Sequence, residues 1–243
     1  MKSYLQDIVK HTHSLGIDLA KITGTDDSTV IMAVAADNSV IVEGKFKDVV
    51  TEFTGTFGMP NLDKLNTILN IPEYEKDANI TMSRRTDEEG VSFPSGIRFE
   101  NSNGDFVNEY RFMASKLINE KLKPLKFKGV KWNVDFNPGL ISLQRLKFQS
   151  QANRDKTTFI AKTDKNGLKF YFGDPSTHAG DFVFEPNVTG SLTRAWQWPV
   201  SAIISILDLP GDKTYKISDE GATMITVDSG IIEYSYIIPA QTK

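Results

Sequence analysis

Cysteine is absent from the 243 residues, and histidine occurs only three times. The first absence excludes a disulfide framework, a thiolate zinc site and a thiol nucleophile, so apolar burial must hold the fold. Long hydrophobic runs are missing as well. The densest, 200–209, is broken by Ser201, Ser205 and Asp208, far short of the ~20 apolar residues of a membrane helix. No glycine-rich phosphate loop of either common spacing occurs. Residues 1–16 scatter Lys2, Asp7, Lys10, His11 and His13 among their apolar positions, unlike a signal peptide. A cytoplasmic protein without a membrane segment is expected. Neither charge sign dominates, with 28 Lys+Arg against 31 Asp+Glu and a formal charge of −3. That balance disfavours a surface that coats nucleic acid everywhere but leaves room for one basic face.

What is present is an ordinary globular composition, 40% hydrophobic and 24% charged, enough for one large core or two of roughly 100 to 150 residues. The chain also repeats itself. Thr67-Ile68-Leu69-Asn70-Ile71-Pro72 returns 138 residues later as Ser205-Ile206-Leu207-Asp208-Leu209-Pro210, and the same offset joins Leu5-Gln6-Asp7-Ile8 to Leu143-Gln144-Arg145-Leu146. One spacing shared by two distant pairs indicates a duplicated architecture.

Helical periodicity supports the pairing. Tyr4, Leu5, Ile8, Val9 and Thr12 share one arc over 4–13, as do Leu62, Leu65, Ile68 and Leu69 over 61–70. A helix over 194–207 gathers Arg194, Gln197, Ser201 and Ser205 on a polar stripe, and a weaker helix is expected over 139–153. Between the helices, β-branched and aromatic residues read as strands at 30–34, 39–42, 49–57, 79–83, 96–100 and 106–113. The second half matches with 130–136, 158–163, 168–172, 181–185, 215–218, 224–227 and 231–238. Each half therefore reads as helix, strands, helix, strands. The expected fold is α+β, with similar domains at 1–113 and 129–243, each placing two helices on an antiparallel sheet. Residues 114–128, with Lys116, Lys121, Lys123, Lys126 and Lys128, form a connector too polar for a core.

The four helical segments together carry net +5, leaving −8 for the remainder. Lysines commonly decorate solvated helix faces. The sharper expectation is that these faces point at a polyanion while the acidic sheets discourage adhesion elsewhere. No catalytic constellation emerges. On a helix the side chains of His11 and His13 diverge, with no third metal ligand nearby. Ser176, His178 and Asp181 crowd one Gly/Pro turn rather than coming from separate elements as a triad does. Trp132, Trp196 and Trp198, with 15 Phe, leave open a single-stranded nucleic-acid binding module that stacks bases on a sheet. A non-catalytic virion structural protein is the other alternative.

The repeat, the basic helices and the run Ile204-Ser205-Ile206-Leu207-Asp208-Leu209-Pro210-Gly211-Asp212-Lys213-Thr214-Tyr215-Lys216-Ile217-Ser218 resemble the DNA polymerase sliding clamps of T-even phage type. The ending Glu233-Tyr234 to Pro239-Ala240 is similar to the terminal strand of PCNA, a eukaryotic relative. The resemblance implies a homotrimeric ring that encircles double-stranded DNA and tethers a replicative polymerase. It also implies a clamp loader as partner, no cofactor or metal, no enzymatic activity, and a place in the host cytoplasm. Family layout and wheel position together nominate Lys2, Lys10, His13, Lys64, Arg145, Lys147, Gln149, Arg154 and Arg194 as DNA-facing. The resemblance further implies a pocket for partner peptides, formed by Leu117, Ile118, Leu122 and Leu125 with Ile237, Ile238, Pro239 and Ala240.

Overall fold

The computed structural model describes residues 1–86, 90, 92–123 and 129–241. Two compact units emerge, Met1–Lys126 with Ser229–Tyr234, and Phe127–Asp228 with Ser235–Lys243. The fold is α+β, with five helices and antiparallel sheets among the described residues.

In the first unit, α1 (Lys2–His13) buries Leu5, Ile8 and Val9 along one side, as a 3.6-residue period requires. Strands β1 (Leu19–Gly24), β2 (Thr29–Val34), β3 (Ile41–Phe46) and β4 (Gly55–Pro60) pair in the order β4-β1-β2-β3. Ala20 of β1 sits opposite Ala33 of β2 and Met59 of β4. Strand alternation turns Ala20, Ile22, Ile31, Ala33 and Val42 inward. Helix α2 (Leu62–Leu69) begins after Asn61, whose left-handed φ of 55° suits asparagine better than most residues. It buries Leu62, Leu65, Ile68 and Leu69. A second sheet follows in the order β5 (Asn79–Thr86), β6 (Ser92–Glu100), β7 (Val107–Arg111). Pro94, unable to donate to a ladder, lies opposite Arg84 at a register shift.

In the second unit, β8 (Val134–Phe136) precedes α4 (Leu140–Ala152), the helix α3 being in the connector. Strands β9 (Thr158–Asp164), β10 (Gly167–Gly173) and β11 (Ala179–Glu185) run as a meander, completed by β12 (Gln197–Pro199) in the order β11-β10-β9-β12. Phe170 stacks against Phe159 and Phe184, with ring centroids 4.2 and 4.3 Å away. Helix α5 (Val200–Leu207) leads into β13 (Asp212–Ile217), β14 (Ala222–Asp228) and β15 (Ile232–Pro239), which with β8 lie in the order β15-β14-β13-β8. The start of β15, Ile232–Tyr234, counts with the first unit.

The repeat is a repeat of the cores. Its offset links α1 to α4 and α2 to α5, and joins buried residue to buried residue: Leu5 and Ile8 to Leu143 and Leu146, Ile68 and Leu69 to Ile206 and Leu207.

Four details differ from the sequence reading. The helix expected over 194–207 starts only at Val200, because Gln197–Pro199 pairs with β9 and Pro199 serves as N-cap. Arg194 is therefore not helical. The connector is not purely polar: Ser115–Lys121 forms α3, and Ile118 is fully buried. Gly58 makes room for it, since a Cβ there would stand 2.8 Å from Ile118 Cδ1. The segment 49–57 divides into a 3₁₀ turn, Thr51–Phe53, and β4. Strands β1 and β12 were not foreseen from the pattern. No helix among the described residues is long and apolar enough to cross a membrane.

Candidate nucleic-acid interface

The polar face shared by α1 and α2 forms a groove of about 460 Å³ lined by Gln6, Val9, Lys10, His13, Ser14, Asn66, Leu69 and Asn70. His13 Nε2 lies 2.9 Å from Asp63 Oδ1 and stitches the two helices together. Asn70 Nδ2 donates to Asn66 O at 2.8 Å, which fixes the end of α2. Lys10 lies on this face, and Lys64 is exposed on α2. Lys2 turns elsewhere, donating from Nζ to Tyr74 O at 2.6 Å. The result is a thin lining of amides, an imidazole paired with a carboxylate and the Lys10 ammonium, with the Lys64 ammonium exposed elsewhere on α2. Such groups reach phosphates directly or through water without reading a base.

Behind this face is a polar cluster that periodicity alone did not disclose. Asp7 Oδ2 accepts from Ser229 Oγ at 2.9 Å and Tyr234 Oη at 3.0 Å. Buried His11 stacks on the Tyr234 ring, centroids 4.2 Å apart. Burial raises the Asp7 carboxyl above its ordinary value, although both hydroxyls and Lys10 pull the other way. Among the described residues no group of three or more His, Cys, Asp and Glu could hold a metal ion.

The second unit uses its nominated residues differently. Lys147 Nζ pairs with Asp208 Oδ1 at 2.6 Å. Arg145 Nη1 donates to Val183 O at 3.1 Å and its guanidinium lies 5.5 Å from the Phe182 ring centroid. Gln149 Nε2 donates to Asp181 O at 3.3 Å. Three of the nominated side chains thus bond within the unit, and α5 carries no charge at all. Arg154 is exposed just beyond the end of α4. Arg194 sits in a loop held by Asp219, whose carboxylate accepts from Thr193 N, Thr193 Oγ1 and Arg194 N at 3.0, 2.7 and 3.1 Å. Burial pushes that carboxyl up, but these donors outweigh it and leave it below the usual value. Helix α4 instead exposes apolar residues, Leu140 at 80%, Ile141 at 73% and Phe148 at 66%. The broad scatter of apolar residues on its wheel was the signal, read in the sequence only as a weak helix.

Of the residues nominated for a peptide pocket, Ile118, Ile237 and Ile238 are buried and spend their side chains on packing. Leu117 and Pro239 are exposed, Leu122 and Ala240 half-buried, and Leu125 lies outside the described residues. Of the three tryptophans, Trp198 is buried, Trp132 is half-buried and Trp196 Nε1 donates to Asp219 O at 2.7 Å. Tyr171 has two lysine partners, Lys162 and Lys169, with Nζ 5.9 and 5.2 Å from its centroid. The Asp174 turn is a surface turn closed by Ser176 N and Oγ on Asp174 Oδ1, both at 2.8 Å.

No family model matches the sequence, and no curated protein matches it either. Among solved structures, the chain is similar to one of comparable length in the structure described as "C-terminal region of FEN-1 bound to A. fulgidus PCNA". The TM-score is 0.69 at 12% identity, covering 100% of this chain and 96% of that one. The chain therefore shares its fold, along its whole length, with a chain of a PCNA complex.

Proposed function

We propose that this chain is the subunit of a DNA sliding clamp, a homotrimeric ring that surrounds duplex DNA and tethers a replicative polymerase, without catalytic activity of its own. The observation that carries this reading is the α1–α2 face: a groove lined by neutral amides with Lys10 and His13, in a chain of net charge −3. A sliding ring must change little in energy from one base pair to the next. Sparse, phosphate-directed contacts satisfy that condition, whereas a dense arginine cluster would act as a brake.

Ring assembly needs a heterologous contact, one surface of a copy meeting a different surface of the next. Two outer strands offer such surfaces. β5 is one outer strand of its sheet and carries Arg85 and Arg84, the latter bonded to Glu52 O, Thr54 O and Ser92 O, and β11 is one outer strand of its sheet and carries Glu185 and Asp181, the latter paired with Lys169. Strands of opposite charge and similar length pair well, and each pairing removes an open edge from solvent. The exposed apolar residues of α4 beside β11 need covering of the same kind. A clamp loader opens and closes such a ring on DNA in the cytoplasm of a phage-infected host.

Native mass tests the ring directly. The expected species is three times 27.1 kDa, and a monomer at high concentration overturns the proposal. Duplex binding tests the face: Lys10→Glu with Lys64→Glu should weaken it about tenfold or more at low salt with native mass unchanged. Equal affinity in that double variant removes the α1–α2 face from the path of DNA. Binding of single strands in preference to duplex, lost on Tyr171→Ala, would favour a base-stacking module instead.

A further inference from the structure

The two units repeat strand for strand except at one place. The order β4-β1-β2-β3 in the first unit matches β12-β9-β10-β11 in the second, and the hairpin β5-β6 matches β13-β14. Strand β8 has no counterpart among the described residues. In the second unit it fills the outer side of β13, with Tyr215 opposite Phe136, Lys216 opposite Asp135 and Ile217 opposite Val134. Its Asp135 also bridges to Thr189, in the segment that joins β11 to β12. In the first unit no described strand lies on the outer side of β5. A groove of about 600 Å³ is found there instead, between Ile80, Met82 and Arg84 of β5 and Thr51, Glu52 and Thr54 of the segment that joins β3 to β4. Its two walls are the counterparts of the two neighbours of β8. Arg84 ties them together, Nη1 donating to Glu52 O at 3.2 Å and Nη2 to Thr54 O at 3.0 Å. Counted from the turns, Thr86 opposite Ser92 matches Ile217 opposite Thr223. Strand alternation then puts Ile80, Met82 and Arg84 on the side of Tyr215 and Ile217, and Arg85 on the side of Lys216. Beside β8, Tyr215 and Ile217 are fully buried and Lys216 Nζ reaches Asp135 Oδ2 at 3.2 Å. Without such a strand, Ile80 and Met82 are only half-buried and Arg85 is exposed.

We propose that the groove beside β5 docks an extended segment of a partner protein, which takes the place that β8 holds in the second unit. The segment carries two apolar side chains, two residues apart, to cover Ile80 and Met82, with an acidic residue between them turned to the side of Arg85. Pairing with the open edge of β5 supplies affinity whatever the sequence, and the alternating side chains select the partner. Charge completes the selection. Arg84 is spent on Glu52 O and Thr54 O, whereas Arg85 can meet a carboxylate across the ladder as Lys216 meets Asp135. A basic segment would set like charges there and be rejected.

A peptide copied from residues 131–137, which include Val134-Asp135-Phe136, is the probe. It is titrated into the full chain with labelled Ile and Met methyl groups, observed by NMR. Saturable shifts are expected at Ile80 and Met82, while Ile217, beside the place β8 already fills, stays still. Phe136→Ala in the peptide should weaken binding about fivefold or more. Asp135→Lys in the peptide should weaken it roughly two- to fivefold, and Arg85→Glu in the protein should reverse that preference. Absent shifts at Ile80 and Met82, or an Arg85→Glu chain that still prefers aspartate, overturn the site. Strand β5 has one open edge, so a seated segment excludes β11 of a neighbouring copy from it. Native mass at the same peptide concentrations separates the two occupants. Methyl shifts with the trimer intact support the site and remove β5 from the ring contact; methyl shifts with loss of the trimer support both. Monomers without peptide overturn the ring alone, since the methyl shifts judge the site at any mass.

Discussion

Helices α1 and α4 occupy matching places in their units, yet they turn opposite chemistry outward. The offset of the repeat pairs Lys2 with Leu140, Ser3 with Ile141 and Lys10 with Phe148. On α4 all three of these are exposed apolar residues. Inside, the pairs Leu5–Leu143 and Ile8–Leu146 stay apolar and buried. The repeat is kept where packing constrains it, because losing a buried leucine costs about 2 to 5 kcal/mol, and it departs where solvent or a partner sets the terms. One helix face suits a polyanion and the other suits a protein. The proposed ring would need both, touching DNA loosely and its own neighbours firmly.

The largest effect should come from making α4 resemble α1. Phe148→Lys installs the residue found at the equivalent position of the first unit. An aromatic anchor at the centre of an interface is worth about 2 to 4 kcal/mol, so self-association should weaken roughly 30- to 1000-fold. Because Phe148 is 66% exposed in the isolated subunit, thermal stability of the monomer should hardly move. Analytical ultracentrifugation with a melting curve separates the two effects. Unaltered association would show that the apolar face of α4 is not covered by another copy.

The contrast between the helices also shows what could be read in the sequence. The core was legible in two patterns: Leu5, Ile8, Leu65 and Ile68 announce their helices by period, and the β-branched and aromatic runs of β2 or β10 announce strands. The same wheel brings Lys10 and His13 to one groove, whereas Lys2 is drawn away to Tyr74 O. The second-unit site did not, because its residues are positioned by partners distant in sequence. Lys147 finds Asp208, Arg145 and Gln149 find β11, and Arg194 follows a loop bound to Asp219. Ile118 illustrates the same limit, an isolated apolar residue among lysines whose burial depends on a glycine sixty positions earlier.

A smaller effect concerns the charge each unit would offer to DNA under the proposed function. Lys10 faces a groove, whereas Lys147 is held by Asp208. Replacing Lys10 by Ala should reduce the slope of log affinity against log salt by about 0.9, the loss of one phosphate contact. Lys147→Ala should change it by less. Asp208→Ala, which leaves the Lys147 ammonium without its carboxylate, should strengthen duplex binding about two- to threefold at low salt. Fluorescence anisotropy across a salt series measures all three. Equal slopes for Lys10→Ala and Lys147→Ala would erase the distinction between the units.

The smallest effect concerns the position that the offset pairs with Arg145, namely Asp7. Burial raises its carboxyl above the ordinary value, with Ser229, Tyr234 and Lys10 opposing the rise and His11 Nε2 at 3.8 Å from Oδ1. A carboxyl raised by folding is protonated more readily in the native state than in the unfolded one. Its contribution to stability is complete below about pH 3.8 and is lost as pH climbs through the raised native value. At neutral pH the buried charge is a cost. Asp7→Asn removes that charge while its amide oxygen can still accept from both hydroxyls, so the midpoint at pH 7 should hold or rise by up to about 2 °C. Stability should also fall less steeply as pH rises above about 3.8 and through the raised native value. If Asp7→Asn instead lowers the midpoint at pH 7 and leaves the pH profile unchanged, the ionised carboxylate is what holds Ser229–Tyr234 against α1. The two helices would then differ inside as well as out, with α1 held through a buried charge and α4 through packing and exposed polar bonds such as Lys147–Asp208.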